Sequence, residues 1–393
     1  MTQSLPPAKS NIAADAAELS LALDGETPVF CFSQKALAAR AKTFIDGFKG
    51  EVSFAVKSNP SHEVIGALAE LGLSHWDVAS VQEMQLVNSV QAKAQFHYHN
   101  PVKSRREIEA AYRVHNCRRF CVDCREELEK IVAIVGDDRT VEIAVRFVLP
   151  RDRGTSAHDF STKFGAPEHI AIELLKKVKA LGFVPVLTFH PGSQSKDPQV
   201  YVRHIEAAAR IVKQAAVDIT TLNVGGGFPA DYELSKAPEP DVYFRMIEVA
   251  RDTHFAGLPT PKLECEPGRG LVACAMSLLT CVKLVCTDGD DIFINDGVYG
   301  GLMEYWQVPE LKPPLRVIRD GKILSGAIRS WKVFGPTCDP MDVLPHRLDL
   351  PADLKDGDYI EFGMLGAYGI STMTQFNGYG GNIIRAVGSV LSA

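Results

Sequence analysis

The 393-residue chain has no surplus of basic residues: 42 Lys and Arg stand against 48 Asp and Glu, a formal net charge of -6. Nucleic-acid binding draws much of its affinity from clustered cations, so this balance argues against a polyanion partner and points to small molecules. No apolar run approaches the roughly 18 residues of a membrane span. The opening stretch, MTQSLPPAKSNIAADAAELS, lacks the basic start and apolar stretch of a secretory signal. A cytoplasmic protein without membrane association is expected. Low-complexity linkers and internal repeats are missing too. A disulfide framework is not indicated, because nine cysteines are an odd number spread over a long chain and fit reduced thiols better. Cys117, Cys121 and Cys124 raise the question of zinc. However, RRFCV reads as a buried strand and Asp123 to Ile131 as a capped helix start, which scatters the thiols over different faces, so no metal is expected. Cys31, Cys265, Cys274, Cys281 and Cys286 lie in apolar strand-like runs, where free cysteine packs as a small hydrophobe.

What is present is a chain long enough for two domains, with 46% hydrophobic and 23% charged residues, close to the globular average. From about residue 50 to 270, short β-branched or aromatic runs alternate with helix-period segments. Eight strands are read: VSFAV, HWDVA, QFHYH, RRFCV, VEIAVRF, VPVLTF, TTLNV and KLECE. Eight parallel strands with intervening helices close into a (β/α)8 barrel, which places chemistry where its strands end. The strand ends are rich in it: Lys57, Asp77, His99 with Asn100, Arg146, His190, Gly225 to Gly227 and Glu266. After residue 270, long stretches such as LVACAMSLLTCVKLVCT read as β, which gives a second, mainly β domain that the early PVFCF run is expected to join. The expected division is 34–273 for the barrel and 1–33 with 274–393 for the β-rich domain.

Lys57, in AVKSNP, stands at a strand end before a turn. A partly desolvated amine there has a lowered pKa and can condense with an aldehyde cofactor, although a solvated loop lysine is the plainer reading of this residue alone. In LNVGGGFP, glycines let backbone N–H groups wrap a phosphate, or make only a tight turn. In ECEPGRG, the planar fork of Arg269 suits a phosphate oxygen, and Glu266 suits a pyridinium nitrogen. In HPGSQS, His190 can stack on an aromatic ring and the Ser193 hydroxyl can donate to phosphate. GPTCDPMD sets Cys338, a proton donor, beside Asp339, an amine binder. In GAYG, Tyr368 offers another hydroxyl, or a core tyrosine.

AVKSNP, HPGSQ, GGGFP, EPGR, NDGVYG, GPTCD and GAYG occur in the order seen in barrel-type pyridoxal-phosphate decarboxylases, and from about Phe30 onward the chain resembles ornithine and lysine decarboxylases of the alanine-racemase-like fold. The resemblance implies that Lys57 binds pyridoxal 5'-phosphate covalently, His190 stacks on its ring and Glu266 binds the ring nitrogen. It implies phosphate binding by Ser193, Gly226, Gly227, Arg269 and Tyr368, with Asp77, Glu83 and Arg146 in support. Cys338 is implied in protonation after carbon dioxide leaves, Asp339 in binding the substrate amine, and Tyr299 as a further active-site tyrosine. The cysteine loop implies a homodimer with shared active sites.

Racemisation on the same barrel fits less well, because alanine racemases place an arginine near the ring nitrogen and lack GPTCD. Diaminopimelate decarboxylase typically follows its cysteine with Glu-Ser-Gly, where this chain has Asp339, Pro340 and Met341. A catalytically silent regulatory homologue would not require Lys57, Cys338 and the phosphate set together. The expected activity is decarboxylation of an amino acid, basic by preference, to a diamine. The chain departs from the family in one place. Ornithine decarboxylases usually carry a Tyr-Asp pair several residues beyond NDGVYG that helps bind the distal amine, and here the stretch reads GLMEYWQVPE. Either Asp339 with Glu304 takes that role, or the substrate is modified, bulkier or carrier-linked with a neutral end that Trp306 could line.

Overall fold

A computed structural model describes residues 12–150, 163–286, 288–381 and 383–392. Residues 1–11, which the sequence reading assigns to the β-rich part, lie outside the described residues. The chain divides into two compact units, one of Leu37–Asp231 with Ser235–Ala273, the other of Met1–Ala36, Tyr232–Leu234 and Cys274–Ala393.

An early strand, β1 (Val29–Phe32), is followed by eight more: β2 (Glu51–Ala55), β3 (His75–Val78), β4 (Gln95–Tyr98), β5 (Arg119–Val122), β6 (Glu142–Arg146), β7 (Val184–Thr188), β8 (Thr221–Asn223) and β9 (Lys262–Cys265). The runs read as strands in the sequence are these eight; seven are a residue or two shorter than read, and β2 begins and ends one residue earlier. Every strand from β2 pairs in parallel with its successor, and Glu51 opposite Glu264 joins β2 to β9 to close the barrel. After β2, β3 and β4 the helices start where a serine, Ser61, Ser80 or Ser104, accepts from a first-turn N–H group. Before Arg105–Arg113, Ser104 and Glu107 form a reciprocal capping box at 3.2 and 2.8 Å. Inside the barrel, Cys121, Ala144 and Val186 are register neighbours and fully buried, a layer of small side chains.

Two local expectations are corrected. The stretch beginning LVACA is not strand at its start: a short helix, Arg269–Val272, and a 3-10 turn, Ala273–Ala275, precede β10 (Met276–Cys286). A run of small apolar residues carries no period that separates the two. The helix Arg125–Val135 is capped by Cys124 without a side-chain bond, while Asp123 Oδ2 accepts from Gly165 N–H at 2.9 Å.

In the other unit β10 is the central strand. It pairs antiparallel with β1, β11 (Asp291–Ile294) and β16 (Tyr359–Phe362). β12 (Leu315–Arg319) and β13 (Lys322–Ile323) extend the sheet from β16, β14 (Ile328–Phe334) and β15 (Leu348–Pro351) extend it from β11, and β17 (Ile383–Ala386) lies parallel to β1. Around it pack Cys31, Leu279, Cys281 and Ile318, all buried.

Candidate active site

The C-terminal ends of the barrel strands surround a cavity of about 490 Å³, lined by Lys57, Asp77, His99, Arg146, His190 and Glu266 among others. Lys57 stands in the 3-10 turn Val56–Ser58 directly after β2 and is exposed. The turn is braced, since Ser58 Oγ donates to the Ala55 carbonyl at 2.8 Å and Ala55 N–H donates to the Pro267 carbonyl at 3.1 Å. Gly268 permits that approach, because a Cβ there would lie 3.1 Å from the Cβ of Ser58.

Glu266, just beyond β9, is buried. Its Oε1 pairs with His99 Nδ1 and accepts from Asn223 Nδ2 at 2.6 Å. Burial alone would raise its pKa, but His99, both hydrogen bonds and Lys57 together hold the carboxyl well below the usual range. His99 is raised in return: burial disfavours its charge, and the Glu266 carboxylate outweighs that. The result is an ion pair in the cavity wall. His99 Nε2 is buried with no hydrogen-bond partner among the described residues. Asp77 is pushed up to about 7 by burial and then by Glu266, against the opposing pull of Lys57. Glu83 is also raised by burial, although it accepts from Ala79 N–H at 2.6 Å. Burial, then Lys57 and Arg146, keep His190 well below the ordinary histidine value, so its imidazole is neutral, with Nδ1 accepting from Gly192 N–H at 3.1 Å.

Beside this wall Arg269 Nη2 donates to Ser193 Oγ at 3.4 Å, both residues buried. A Cβ at Gly226 would come within 2.7 Å of the Glu266 carbonyl and 3.1 Å of His190 Nε2, and one at Gly227, whose φ is +90°, within 2.4 Å of the Gly192 carbonyl. Only glycine permits so close an approach of this loop to its neighbours.

The remaining named residues belong to the β unit. Tyr299 OH donates to Asp339 Oδ2 at 2.6 Å, which, with the Met341 N–H, lowers the Asp339 pKa. Cys338 is exposed, its N–H bonded to Asn377 Oδ1 at 3.1 Å. Tyr368, in the loop after β16, has a φ of 58°. The named residues thus fall into two sets, one in each unit. Sequence reading noticed His99 as a strand end but gave it no role, and it passed over Asn223; the signal was a polar residue closing an otherwise apolar strand.

The residues of the barrel unit fit pyridoxal phosphate. They offer an amine for its aldehyde, an ionised carboxylate for its ring nitrogen and a neutral imidazole for its ring face. For the phosphate there is a buried guanidinium with a hydroxyl, beside a glycine loop whose close packing admits no Cβ.

Residues 34–273 match the pyridoxal-binding domain of the pyridoxal-dependent decarboxylases. The lysine/ornithine decarboxylase of Selenomonas ruminantium is 33% identical over 84% of this chain and 81% of its own length. Antizyme inhibitor 2 of Xenopus laevis is 30% identical, covering 83% and 73% respectively. The solved structure of the Vibrio vulnificus lysine/ornithine decarboxylase complexed with putrescine is 27% identical, with a TM-score of 0.80 over 94% of this chain and 96% of that one.

Proposed function

The chain belongs to the pyridoxal-dependent decarboxylases, and we propose that within this family of pyridoxal-phosphate enzymes it decarboxylates a basic amino acid, ornithine or lysine, to a diamine for polyamine formation. The observation that carries the substrate class is the Asp339–Tyr299 pair, a carboxylate held ionised beside Cys338 on a partly exposed loop. A substrate ammonium needs such a partner, since an unpaired buried cation is costly. The names of the Selenomonas and Vibrio relatives support the same class.

Bound pyridoxal phosphate supplies an electron sink for the pair left when the bond from Cα to the carboxylate breaks. Lys57 Nζ holds the group covalently, and Glu266, kept anionic by His99 and Asn223, keeps a proton on the ring nitrogen. Neutral His190 covers the ring without adding charge, while Ser193, Gly226, Gly227 and Arg269 hold the phosphate, with Tyr368 as a further donor. Asp77, Glu83 and Arg146 set the charge around the lysine. Cys338 Sγ delivers the proton to Cα after carbon dioxide departs, and Asp339, aligned by Tyr299, takes the substrate's distal amine.

Lys57 and Cys338 lie in different units, and the reading includes a homodimer in which the Cys338 loop of one chain completes the Lys57 site of the other. A cytoplasmic setting belongs to the same reading; among the described residues no helix is long and apolar enough to cross a membrane. The test is carbon dioxide release from ornithine, lysine, arginine, diaminopimelate and glutamate derivatives. Turnover of ornithine or lysine is expected. Turnover of a neutral-ended substrate alone overturns the basic-amino-acid assignment.

A further inference from the structure

The N-terminal ends of the barrel strands enclose a second cavity, of about 1080 Å³, that the decarboxylase chemistry does not use. Glu51, His75 and His97 face one another there from the neighbouring strands β2, β3 and β4. His75 Nε2 lies 3.1 Å from Glu51 Oε2 and His97 Nε2 lies 3.5 Å from Glu51 Oε1. One donor atom from each residue lies within 4.8 Å of the other two. A zinc ion about 2.0–2.1 Å from each donor in tetrahedral geometry sets donors roughly 3.4 Å apart, which the two histidine–Glu51 distances, one to each carboxylate oxygen, already bracket.

Three further observations favour a cation. First, the ring nitrogens turned away from Glu51 are already held: His97 Nδ1 pairs with Glu264 Oε1 at 2.8 Å and His75 Nδ1 with Ser74 Oγ at 3.2 Å. This is the outer-shell arrangement that orients a ligating imidazole. Second, Glu51 Oε1 is buried with no hydrogen-bond partner among the described residues, and the His97 side chain beside it is only 5% exposed. Third, three carboxylates surround one guanidinium. Arg119 pairs with Glu142 and Glu264 and stands 3.8 Å from Glu51. Of the other cations lining the cavity, Arg118 and Arg251 are paired with Asp138 and Asp252, and Lys49 and Lys262 are exposed.

We propose that Glu51, His75 and His97 bind a divalent transition-metal ion of the zinc class, with its remaining position open to the cavity. Two imidazoles and a carboxylate with an open fourth place are a donor set zinc accepts. The ion would tie three adjacent strands together at the barrel's N-terminal face, where TIM-barrel residues serve stability rather than chemistry.

The test uses holoenzyme stripped with a chelator and then titrated with Zn2+ and, separately, with Co2+. Expected are one equivalent of metal per chain by elemental analysis, a thermal unfolding midpoint that rises with Zn2+, and a Co2+ spectrum of nitrogen and oxygen ligation. His75→Gln and Glu51→Gln should each weaken binding by more than the roughly 10–100-fold that loss of an outer-shell partner costs, while retaining the cofactor's absorbance, which reports that the barrel is intact. Failure to bind a stoichiometric equivalent overturns the proposal, as does a thiolate charge-transfer band with Co2+. Equal affinity in wild type and His75→Gln overturns it too, and if both variants lose the cofactor the wild-type stoichiometry and Co2+ spectrum decide alone.

Discussion

Glu266 keeps its charge in a buried wall because His99, Asn223 and Lys57 offset its burial, and His99, the largest of these counterweights, is the residue whose removal is most informative. The sign follows from the direction of the shift. A carboxylate with a depressed folded pKa contributes stability that is present above the ordinary glutamate value of about 4.3 and is lost as pH falls through the lower folded value. In His99→Ala the burial penalty is no longer opposed by its largest counterweight, so the carboxyl titrates higher. The acid limb of kcat/KM should therefore move to higher pH, with kcat at neutral pH falling about 10–100-fold as ring protonation weakens. An unchanged pH–rate profile would refute the role. Lys57 has a more direct test, borohydride reduction followed by peptide mass analysis. The cofactor label is expected on Lys57, and a label on another lysine would remove the centre of the proposed chemistry.

The loop that presents Cys338 and Asp339 is itself an element with one organising residue, Asp342. Buried in the β unit, it accepts from Val298 N–H at 2.9 Å, Thr337 N–H at 3.0 Å and Thr337 Oγ1 at 2.7 Å. A Cβ on Gly297 or Gly335 would lie 2.2 or 2.1 Å from its Oδ1, so glycine is required at both. Asp342→Ala leaves these donors unanswered and should cost about 3 kcal/mol in urea unfolding, with activity falling further than stability alone explains. A loss below about 0.5 kcal/mol would show that the loop is held elsewhere. Elements of this kind mark the limit of what sequence reveals. The eight barrel strands were legible because each is a short apolar run bounded by turn residues, and the Lys57, His190 and Glu266 ends were legible because strand ends are where a barrel exposes polar groups. The helical turn at Arg269–Val272 was not, since LVACA has no period, and the Asp123 cap was misplaced because Asp123 had a better partner in Gly165. His99 against Glu266 depends on the closure of β4 toward β9 across the barrel, a register that no local pattern encodes. The His75–His97–Glu51 group was hidden for the same reason.

At the scale of the whole molecule the proposed function asks the two sets of residues to act together. Lys57, Glu266 and His190 belong to one compact unit, Cys338, Asp339 and Tyr299 to the other. Each set has an internal hydrogen bond of its own, Tyr299 on Asp339 in one and His99 on Glu266 in the other. The proposed chemistry would require Cys338 Sγ within proton-transfer reach of the carbon beside Lys57, and a symmetric pair of chains could meet that requirement twice by exchanging loops. The consequence is measurable because a shared site can be rebuilt from two defective chains. Lys57→Ala and Cys338→Ala homodimers should each be nearly inactive. After subunit exchange, half of the randomly paired dimers are mixed and each holds one site with both residues intact, so activity should recover to about a quarter of wild type. Recovery must depend on exchange, and a mixture kept below the exchange temperature should stay inactive. If exchange is verified by mass spectrometry and activity does not return, each chain supplies its own Cys338 and the shared-site dimer is wrong, while the assignments of Lys57 and Glu266 stand unaffected.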